Sequence, residues 1–100
     1  MLRLGESRID IEARTAERAG KPVHLTPIEY RLIACLARRP GMVMKHRELL
    51  MDVWGPTHAA DTHYLRIYMK QLRDKLECDP VQPRYFITET GVGYRLLVDE

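Results

Sequence analysis

The clearest chemical pattern in the chain lies in residues 61–76, which predict one long helix. At about 100° per residue, its side chains divide into two faces. One face is a narrow apolar stripe made of Leu65, Met69, Leu72 and Leu76. The opposite face and its flanks carry His63, Tyr64, Arg66, Ile67, Lys70, Gln71, Arg73, Asp74 and Lys75. One side can therefore pack into a core, while the other offers cations, an amide, an aromatic ring and an exposed aliphatic group.

That mixture of side chains suits the major groove of double-stranded DNA. Phosphates attract cations, and base edges accept bidentate donors or apolar contacts to the thymine methyl group. Lys70 supplies a cation, Gln71 an amide that can pair with adenine, and Ile67 an aliphatic contact. For the helix alone, an amphipathic surface helix with solvated charges is the commoner explanation. The segment that follows the helix makes DNA binding the favoured interpretation.

Residues 85–98 predict a hairpin directly after that helix. Apolar residues alternate on each side of a turn built around Gly91 and Gly93. Strand, glycine-containing turn and strand are together a hairpin signal. A helix that reads DNA followed at once by a hairpin is the layout of a winged helix, in which the hairpin is the wing and its tip reaches the minor groove.

The first part of the chain predicts a small antiparallel sheet. Short strands are expected at residues 2–4, 7–11 and 22–25, separated by glycine-containing turns. Three arginines in this part are expected to be solvated edge charges, namely Arg8, Arg14 and Arg18.

Two further helices are expected before the long one. The first begins with Thr26 as N-cap, Pro27 at the first helical position and Glu29 completing a capping box. The second is expected at residues 46–54. Lys45 precedes it and offers no side-chain cap, so it either contacts a phosphate or is an ordinary surface residue.

Composition sets the class of protein. One hundred residues with 45% hydrophobic and 30% charged residues are typical of one soluble globular domain. No apolar run approaches a membrane span, and no secretory signal is present. Cys35 and Cys78 make neither a disulfide framework nor a zinc site, which favours a reducing cytoplasm as the location. The net charge is only +2, but residues 63–76 hold four cations and one acid, so the basic charge is concentrated on the long helix.

Other kinds of site find little support in the sequence. His24, His46 and His58 match no tight ligand spacing, so no metal is expected. No nucleophile pairs with a base and no glycine-rich phosphate loop follows a strand, so neither a cofactor nor an enzyme activity is expected.

A series of motifs resembles the effector domain of the OmpR/PhoB-type bacterial response regulators. The resemblance covers residues 4–97. Its motifs are residues 25–30 (LTPIEY), 48–50 (ELL), 53–55 (VWG), 72–73 (LR) and 91–95 (GVGYR). A second set is similar to the regulators of Kdp potassium-uptake operons, namely residues 54–56 (WGP), 63–69 (HYLRIYM), 83–84 (PR) and 86–91 (FITETG).

The resemblance implies an α+β fold for residues 1–100, with an N-terminal antiparallel sheet, three helices and a C-terminal β-hairpin as a single DNA-binding domain. It implies transcription regulation as the effector of a two-component system, controlling a potassium-uptake operon. A receiver domain, phosphorylated by a sensor kinase, would belong to the full protein and is absent here. The domain would bind a direct repeat of double-stranded DNA, associate weakly or not at all by itself, and contact RNA polymerase through the loop 55–60.

The resemblance and the helix pattern together imply the DNA contacts. These are Trp54, His63, Tyr64, Arg66, Ile67, Lys70, Gln71, Arg73, Thr88, Thr90, Gly91 and Tyr94. The ring of Trp54 would pack while its indole N–H donates to a phosphate. Arg73 is expected to meet a phosphate or a neighbouring acid rather than a base. Thr90 replaces a residue that is sometimes arginine in the family, which argues against deep reading of the minor groove.

One rival hypothesis remains open, a protein-interaction module with the same fold. In that case Tyr64 and Ile67 would meet a protein partner, or Ile67 a second copy of the chain, in place of a thymine methyl group. The salt dependence of DNA binding separates the hypotheses, because phosphate contacts release counterions.

Overall fold

Two antiparallel sheets and three helices form the structure, a computed structural model that describes residues 1–99. The N-terminal sheet has the strand order β1 (Leu2–Leu4), β2 (Ser7–Asp10), β3 (Thr15–Arg18) and β4 (Lys21–Pro22). The helices are α1 (Pro27–Ala37), α2 (His46–Val53) and α3 (Thr62–Leu76), with a short 3-10 helix at Pro56–His58. The second sheet contains β5 (Met44–Lys45), β6 (Phe86–Glu89) and β7 (Gly93–Leu96), in the order β5-β7-β6. The predicted α+β arrangement of sheet, three helices and hairpin is confirmed.

The N-terminal sheet differs in detail from the prediction. Strand β3 was not expected, and the strand expected at residues 22–25 is wrong, because only Lys21 and Pro22 pair with β3. Val23 still donates to the Ala16 carbonyl oxygen at 2.9 Å. Beyond it the chain leaves the sheet to reach the cap of α1, and Pro22 has no N–H with which to extend the ladder.

The predicted capping box of α1 is confirmed. The Glu29 N–H donates to Thr26 Oγ1 at 3.2 Å, and the Thr26 N–H donates to Glu29 Oε1 at 2.7 Å. Glu29 is fully buried, and the same Oε1 accepts from Lys75 Nζ at 2.7 Å. One buried carboxylate therefore starts α1 and also holds the last turn of α3 against it.

Helix α2 begins with only half of such a box. The Lys45 N–H donates to Glu48 Oε1 at 3.2 Å, but an ammonium group has no acceptor to offer in return. The helix ends at Val53, one residue earlier than expected, with Trp54 as its C-cap.

The apolar stripe of α3 is confirmed as core. Leu65, Met69, Leu72 and Leu76 are each at most 1% exposed. They belong to one buried cluster with residues of α1, α2 and the second sheet, including Leu36, Leu49 and Phe86. The stripe sets the rotation of α3 about its own axis, and so determines which side chains face outward.

The substitution Leu72→Ala tests that rotation. Removing a fully buried leucine side chain should lower the free energy of unfolding by about 3 kcal/mol, through lost burial and the cavity left behind. Urea denaturation measures the change. The neighbouring Gln71→Ala is the control, because Gln71 is exposed and should cost less than about 0.5 kcal/mol. Equal effects of the two variants would mean that the helix rotation is wrong.

The N-terminal sheet holds the C-terminal end of α3. Ser7 Oγ donates to the Leu76 carbonyl at 2.8 Å, and Arg18 Nη1 lies 3.3 Å from the Asp74 carbonyl oxygen. Arg18 also pairs with Glu6 at 3.3 Å. The expectation that Arg18 is a solvated edge charge is therefore wrong, because its guanidinium binds the otherwise unpaired carbonyls of a helix end.

The residues after β7 also return to the N-terminal sheet. Asp99 Oδ2 accepts from the Gly5 N–H at 2.7 Å and from the Tyr85 hydroxyl at 3.0 Å. These two donors, the Gly5 N–H first, lower the pKa of the Asp99 carboxyl. The stabilisation is therefore present at neutral pH and is lost only as the pH falls through that lowered value.

None of the helices within residues 1–99 has the length and apolarity needed to cross a bilayer.

Candidate nucleic-acid interface

The face of α3 opposite the stripe is open to solvent. Six of its exposed side chains are hereafter called the reading face, namely His63, Tyr64, Arg66, Ile67, Lys70 and Gln71, and Asp74 is exposed beside them. Ile67 is 40% exposed among these polar neighbours. Burying such an aliphatic group against a ligand is favourable, which fits a surface that is covered when the domain functions.

Lys70 is held only loosely on the reading face. Its ammonium group pairs with Asp74 at 2.9 Å, one turn further along α3, and both side chains are at least half exposed. An exposed pair of this kind stabilises a helix by only about 0.3–0.5 kcal/mol. Lys70 can therefore exchange this partner for a DNA phosphate or base at little cost.

Arg73 differs from the other predicted DNA contacts on α3 because its guanidinium binds the wing. Its Nε and Nη2 donate to the Phe86 carbonyl oxygen at 2.9 and 2.7 Å, and Nη2 also lies 2.7 Å from Thr88 Oγ1. Burial lowers the pKa of this guanidinium, and Tyr94 and Glu77 oppose the shift. In the free domain Arg73 therefore ties α3 to β6, and a DNA contact by Arg73 or Thr88 stays a prediction.

Glu77 completes this connection, and the sequence analysis did not identify it. The residue is 1% exposed and follows the last turn of α3. Its Oε1 accepts from the Arg84 N–H at 3.0 Å, and its Oε2 accepts from the Tyr85 and Phe86 N–H groups at 2.9 and 2.8 Å. An acid beside a helix C-terminus is electrostatically unfavourable, which was the available signal that Glu77 has specific partners. Arg73 and Glu77 together are hereafter the helix–wing clamp.

The predicted hairpin is confirmed, and its two glycines have different roles. Gly91 has φ +77° in the turn, a conformation that glycine adopts without strain. Gly93 is the first residue of β7, where its pairing with Lys45 of β5 brings the two backbones together. A Cβ at Gly93 would lie 1.9 Å from the Met44 carbonyl oxygen. The wing is therefore a three-stranded sheet whose third strand the sequence analysis missed.

A cleft of about 250 Å³ lies between α3 and the wing. It is hereafter the wing cleft, lined by His46, Thr62, Arg66, Thr88, Thr90, Gly91 and Tyr94. Five of these seven residues belong to the predicted DNA contacts. His46 was not predicted, because only the pairing of β5 with β7 carries the start of α2 to the wing. Thr62, the first residue of α3, was also not predicted.

Trp54 is the centre of an aromatic cluster that includes Tyr64 and Tyr68 of α3. Its ring stacks on Tyr64 with centroids 6.0 Å apart and packs on Tyr68 at 5.3 Å. His58 meets Tyr64 edge-on at 5.4 Å and pairs with Asp61 at 2.9 Å. The predicted packing of the Trp54 ring is confirmed, whereas donation of the indole N–H to a phosphate stays a prediction.

Within residues 1–99, no three histidine, cysteine or acidic side chains lie close enough together to hold a metal ion. Cys35 is buried and Cys78 exposed, and both are free thiols.

Comparison with known proteins identifies the family. A family model described as "Transcriptional regulatory protein, C terminal" matches residues 20–96. The KDP operon transcriptional regulatory protein KdpE of Escherichia coli K12 is 50% identical over 98 residues, which is 98% of this chain and 44% of that protein. The transcriptional regulatory protein KdpE of Mycobacterium tuberculosis H37Rv is 47% identical over 87 residues, covering 87% of this chain and 38% of that protein. The chain thus spans less than half the length of these relatives.

Solved structures agree with this result. The response regulator DrrB of Thermotoga maritima, an OmpR/PhoB homologue, superposes with a TM-score of 0.82 and 31% identity, covering 94% of this chain and 42% of that one. The RstA DNA-binding domain of Klebsiella pneumoniae, in complex with the RstA box, gives a TM-score of 0.79 and 25% identity, covering 93% of this chain and 92% of that one. The chain therefore belongs to the C-terminal transcriptional regulatory domains, the DNA-binding winged-helix effectors of OmpR/PhoB-type response regulators.

Proposed function

We propose that this domain binds double-stranded DNA sequence-specifically, with α3 in the major groove and the hairpin 85–98 in the adjacent minor groove. The observation that carries the proposal is the helix–wing clamp. It holds an open polar helix face and a hairpin side by side across the wing cleft. A helix fits the major groove, and a narrow hairpin tip beside it fits the minor groove.

The contacts divide by chemistry. Lys70, Gln71 and Ile67 lie at the centre of the reading face and would contact base edges, through a cation, a bidentate amide and an aliphatic group. The phosphate and sugar contacts would come from α3, the wing and the aromatic cluster, namely Trp54, His63, Tyr64, Arg66, Arg73, Thr88, Thr90, Gly91 and Tyr94. Binding would therefore combine base reading with a strong electrostatic component.

The proposed biological role is control of a potassium-uptake operon. Two relatives that match nearly the whole chain carry the name KdpE, and one is described as the KDP operon transcriptional regulatory protein. The domain would act as the effector of a longer protein whose receiver domain is phosphorylated by a sensor kinase. It would occupy a direct repeat, associate weakly by itself, and offer the loop 55–60 to RNA polymerase.

A footprint on a potassium-uptake promoter tests both the DNA binding and the operon. The expected result is protection of two adjacent half-sites on one promoter, with affinity that falls steeply as salt rises. A promoter unrelated to potassium uptake is the control. Equal and weak binding to both promoters would reject the specific role. Binding without a salt dependence would favour the rival in which Tyr64 and Ile67 meet a protein.

Lys70→Ala tests the reading face directly. Loss of this cation should weaken DNA binding by about 1–3 kcal/mol and leave the free energy of unfolding nearly unchanged. Lys21→Ala removes the same charge from β4, away from the proposed interface, and is the matched control. Titration of labelled operator measures both variants. If Lys70→Ala binds as tightly as Lys21→Ala, Lys70 is not on the DNA-binding surface.

A further inference from the structure

The position of His46 beside the wing is not explained by the family role described above. It is the first residue of α2, yet β5 brings it to the wing, where its N–H donates to the Val92 carbonyl at 3.2 Å. Its ring is half-buried and meets Tyr94 edge-on at 5.5 Å. The ring therefore lines the wing cleft together with Arg66 of α3.

The docking proposed above places one sugar–phosphate backbone of the DNA in the wing cleft. Elements that occupy adjacent major and minor grooves are separated by one sugar–phosphate backbone of the duplex. Because α3 and the wing lie on opposite sides of the wing cleft, that backbone must cross the cleft. A phosphodiester group is an anion with strong acceptor oxygens, and protonated imidazole and guanidinium are suitable donors to it.

We propose that His46 is a further DNA-contacting residue, and that it binds the crossing phosphate as an imidazolium, so that operator affinity is linked to the uptake of a proton. This inference rests on the proposed function. It assigns a backbone phosphodiester as the ligand of the wing cleft, and it predicts that DNA affinity depends on pH.

The charges around His46 support this linkage. From α3 the cleft receives Arg66, and from the wing it receives the Tyr94 phenol and the hydroxyls of Thr88 and Thr90. None of the described residues that line the cleft is a carboxylate.

Other charges come from the wing, where Glu89 pairs with Arg95 at 3.0 Å, and from residues beside His46 in the chain. Lys45 and Arg47 are cations, and the Glu48 carboxylate is already engaged by the Lys45 N–H and by Arg39, each at 3.2 Å. A phosphate bound in the cleft would place an anion beside the imidazole, and a nearby anion favours the protonated ring.

The direction of the pH effect on DNA affinity follows from the negative charge of the bound phosphate. Histidine changes charge between about pH 5 and 8. If the complex favours the protonated ring, the complex holds more protons than the separate partners, and affinity rises as pH falls. The added affinity is lost as the pH rises and the ring in the complex gives up its proton.

The test is operator binding at two pH values and one salt concentration. The unmodified domain should bind about fivefold tighter at about pH 6.0 than at about pH 7.5, a size typical of one linked proton. Circular dichroism at both pH values checks the fold. The Asp99 contacts should persist in this range, because its pKa lies below the ordinary value.

Three variants assign the proton. His63→Gln serves as the common background, because it removes the other histidine proposed to contact a phosphate. In that background, His46→Gln keeps a hydrogen-bonding side chain without the charge, and it should bind DNA with no pH dependence. His46→Arg carries a permanent charge, and it should bind tightly at both pH values.

The outcomes separate the inference from the proposed function. Salt-dependent, specific binding that does not change with pH would overturn the inference alone. So would a pH dependence that survives His46→Gln in the His63→Gln background, or its absence from that background alone. Absence of specific DNA binding by the unmodified domain at both pH values would overturn the proposed function as well.

Discussion

Replacing Gly93 with alanine is expected to lower the free energy of unfolding by about 4 kcal/mol or more, among the largest effects seen for single substitutions. A Cβ at this position would lie 1.9 Å from the Met44 carbonyl oxygen and 2.9 Å from Lys45 Cα. Both neighbours are backbone atoms of β5, so no side-chain rotation relieves the overlap. Strand β5 must separate from β7, which removes the ladder that carries His46 to the wing.

Gly91→Ala is the matched control for that experiment. Nothing lies within 4 Å of a Cβ at Gly91, so the cost is limited to its left-handed backbone, about 1–2 kcal/mol. Urea denaturation of both variants gives the comparison. If Gly93→Ala is no more destabilising than Gly91→Ala, the close approach of β5 and β7 does not exist in solution.

The substitution Glu77→Ala is expected to cost about 3–6 kcal/mol of unfolding free energy. The carboxylate accepts three backbone N–H groups, from residues 84, 85 and 86, and each buried donor left without a partner costs about 1–3 kcal/mol. Water entering the vacated space reduces the total below the full sum. Because these amides lead into β6, which begins at Phe86, the variant should also lose DNA affinity through a misplaced wing.

Two measurements identify the cause. Hydrogen exchange should accelerate first at the amides of Arg84, Tyr85 and Phe86, and urea denaturation gives the total cost. Glu12→Ala removes an exposed carboxylate from the N-terminal part of the chain and should change stability by less than about 0.5 kcal/mol. A Glu77→Ala protein as stable as Glu12→Ala would contradict the role assigned to the buried carboxylate.

Local patterns were enough to predict the parts of the fold that local interactions determine. The apolar spacing of α3 identified its buried stripe, because a helix face depends only on positions three and four residues apart. The Thr26 and Glu29 capping box is likewise formed within one turn. The exposure of the reading face followed from the same periodicity.

Long-range contacts account for what the sequence did not reveal. Met44 and Lys45 form a strand only because β7 lies beside them, and two residues carry no recognisable alternation. The reach of Arg73 to Phe86 spans 13 positions in sequence, so its place on a helix flank could not show that it binds the wing. For the same reason His46 was considered only as a metal ligand, since its proximity to Tyr94 exists only after folding.

The helix–wing clamp has a mechanical consequence for the DNA. With α3 and β6 joined by charged and buried hydrogen bonds at both Arg73 and Glu77, the distance between the two binding elements is nearly constant. A duplex whose groove spacing differs from that distance must bend or twist to engage both elements, and the energy required depends on the stiffness of its base steps. Under the proposed docking, the domain would therefore bind more tightly to DNA sequences that deform easily, even where the deformed base pairs contact no side chain.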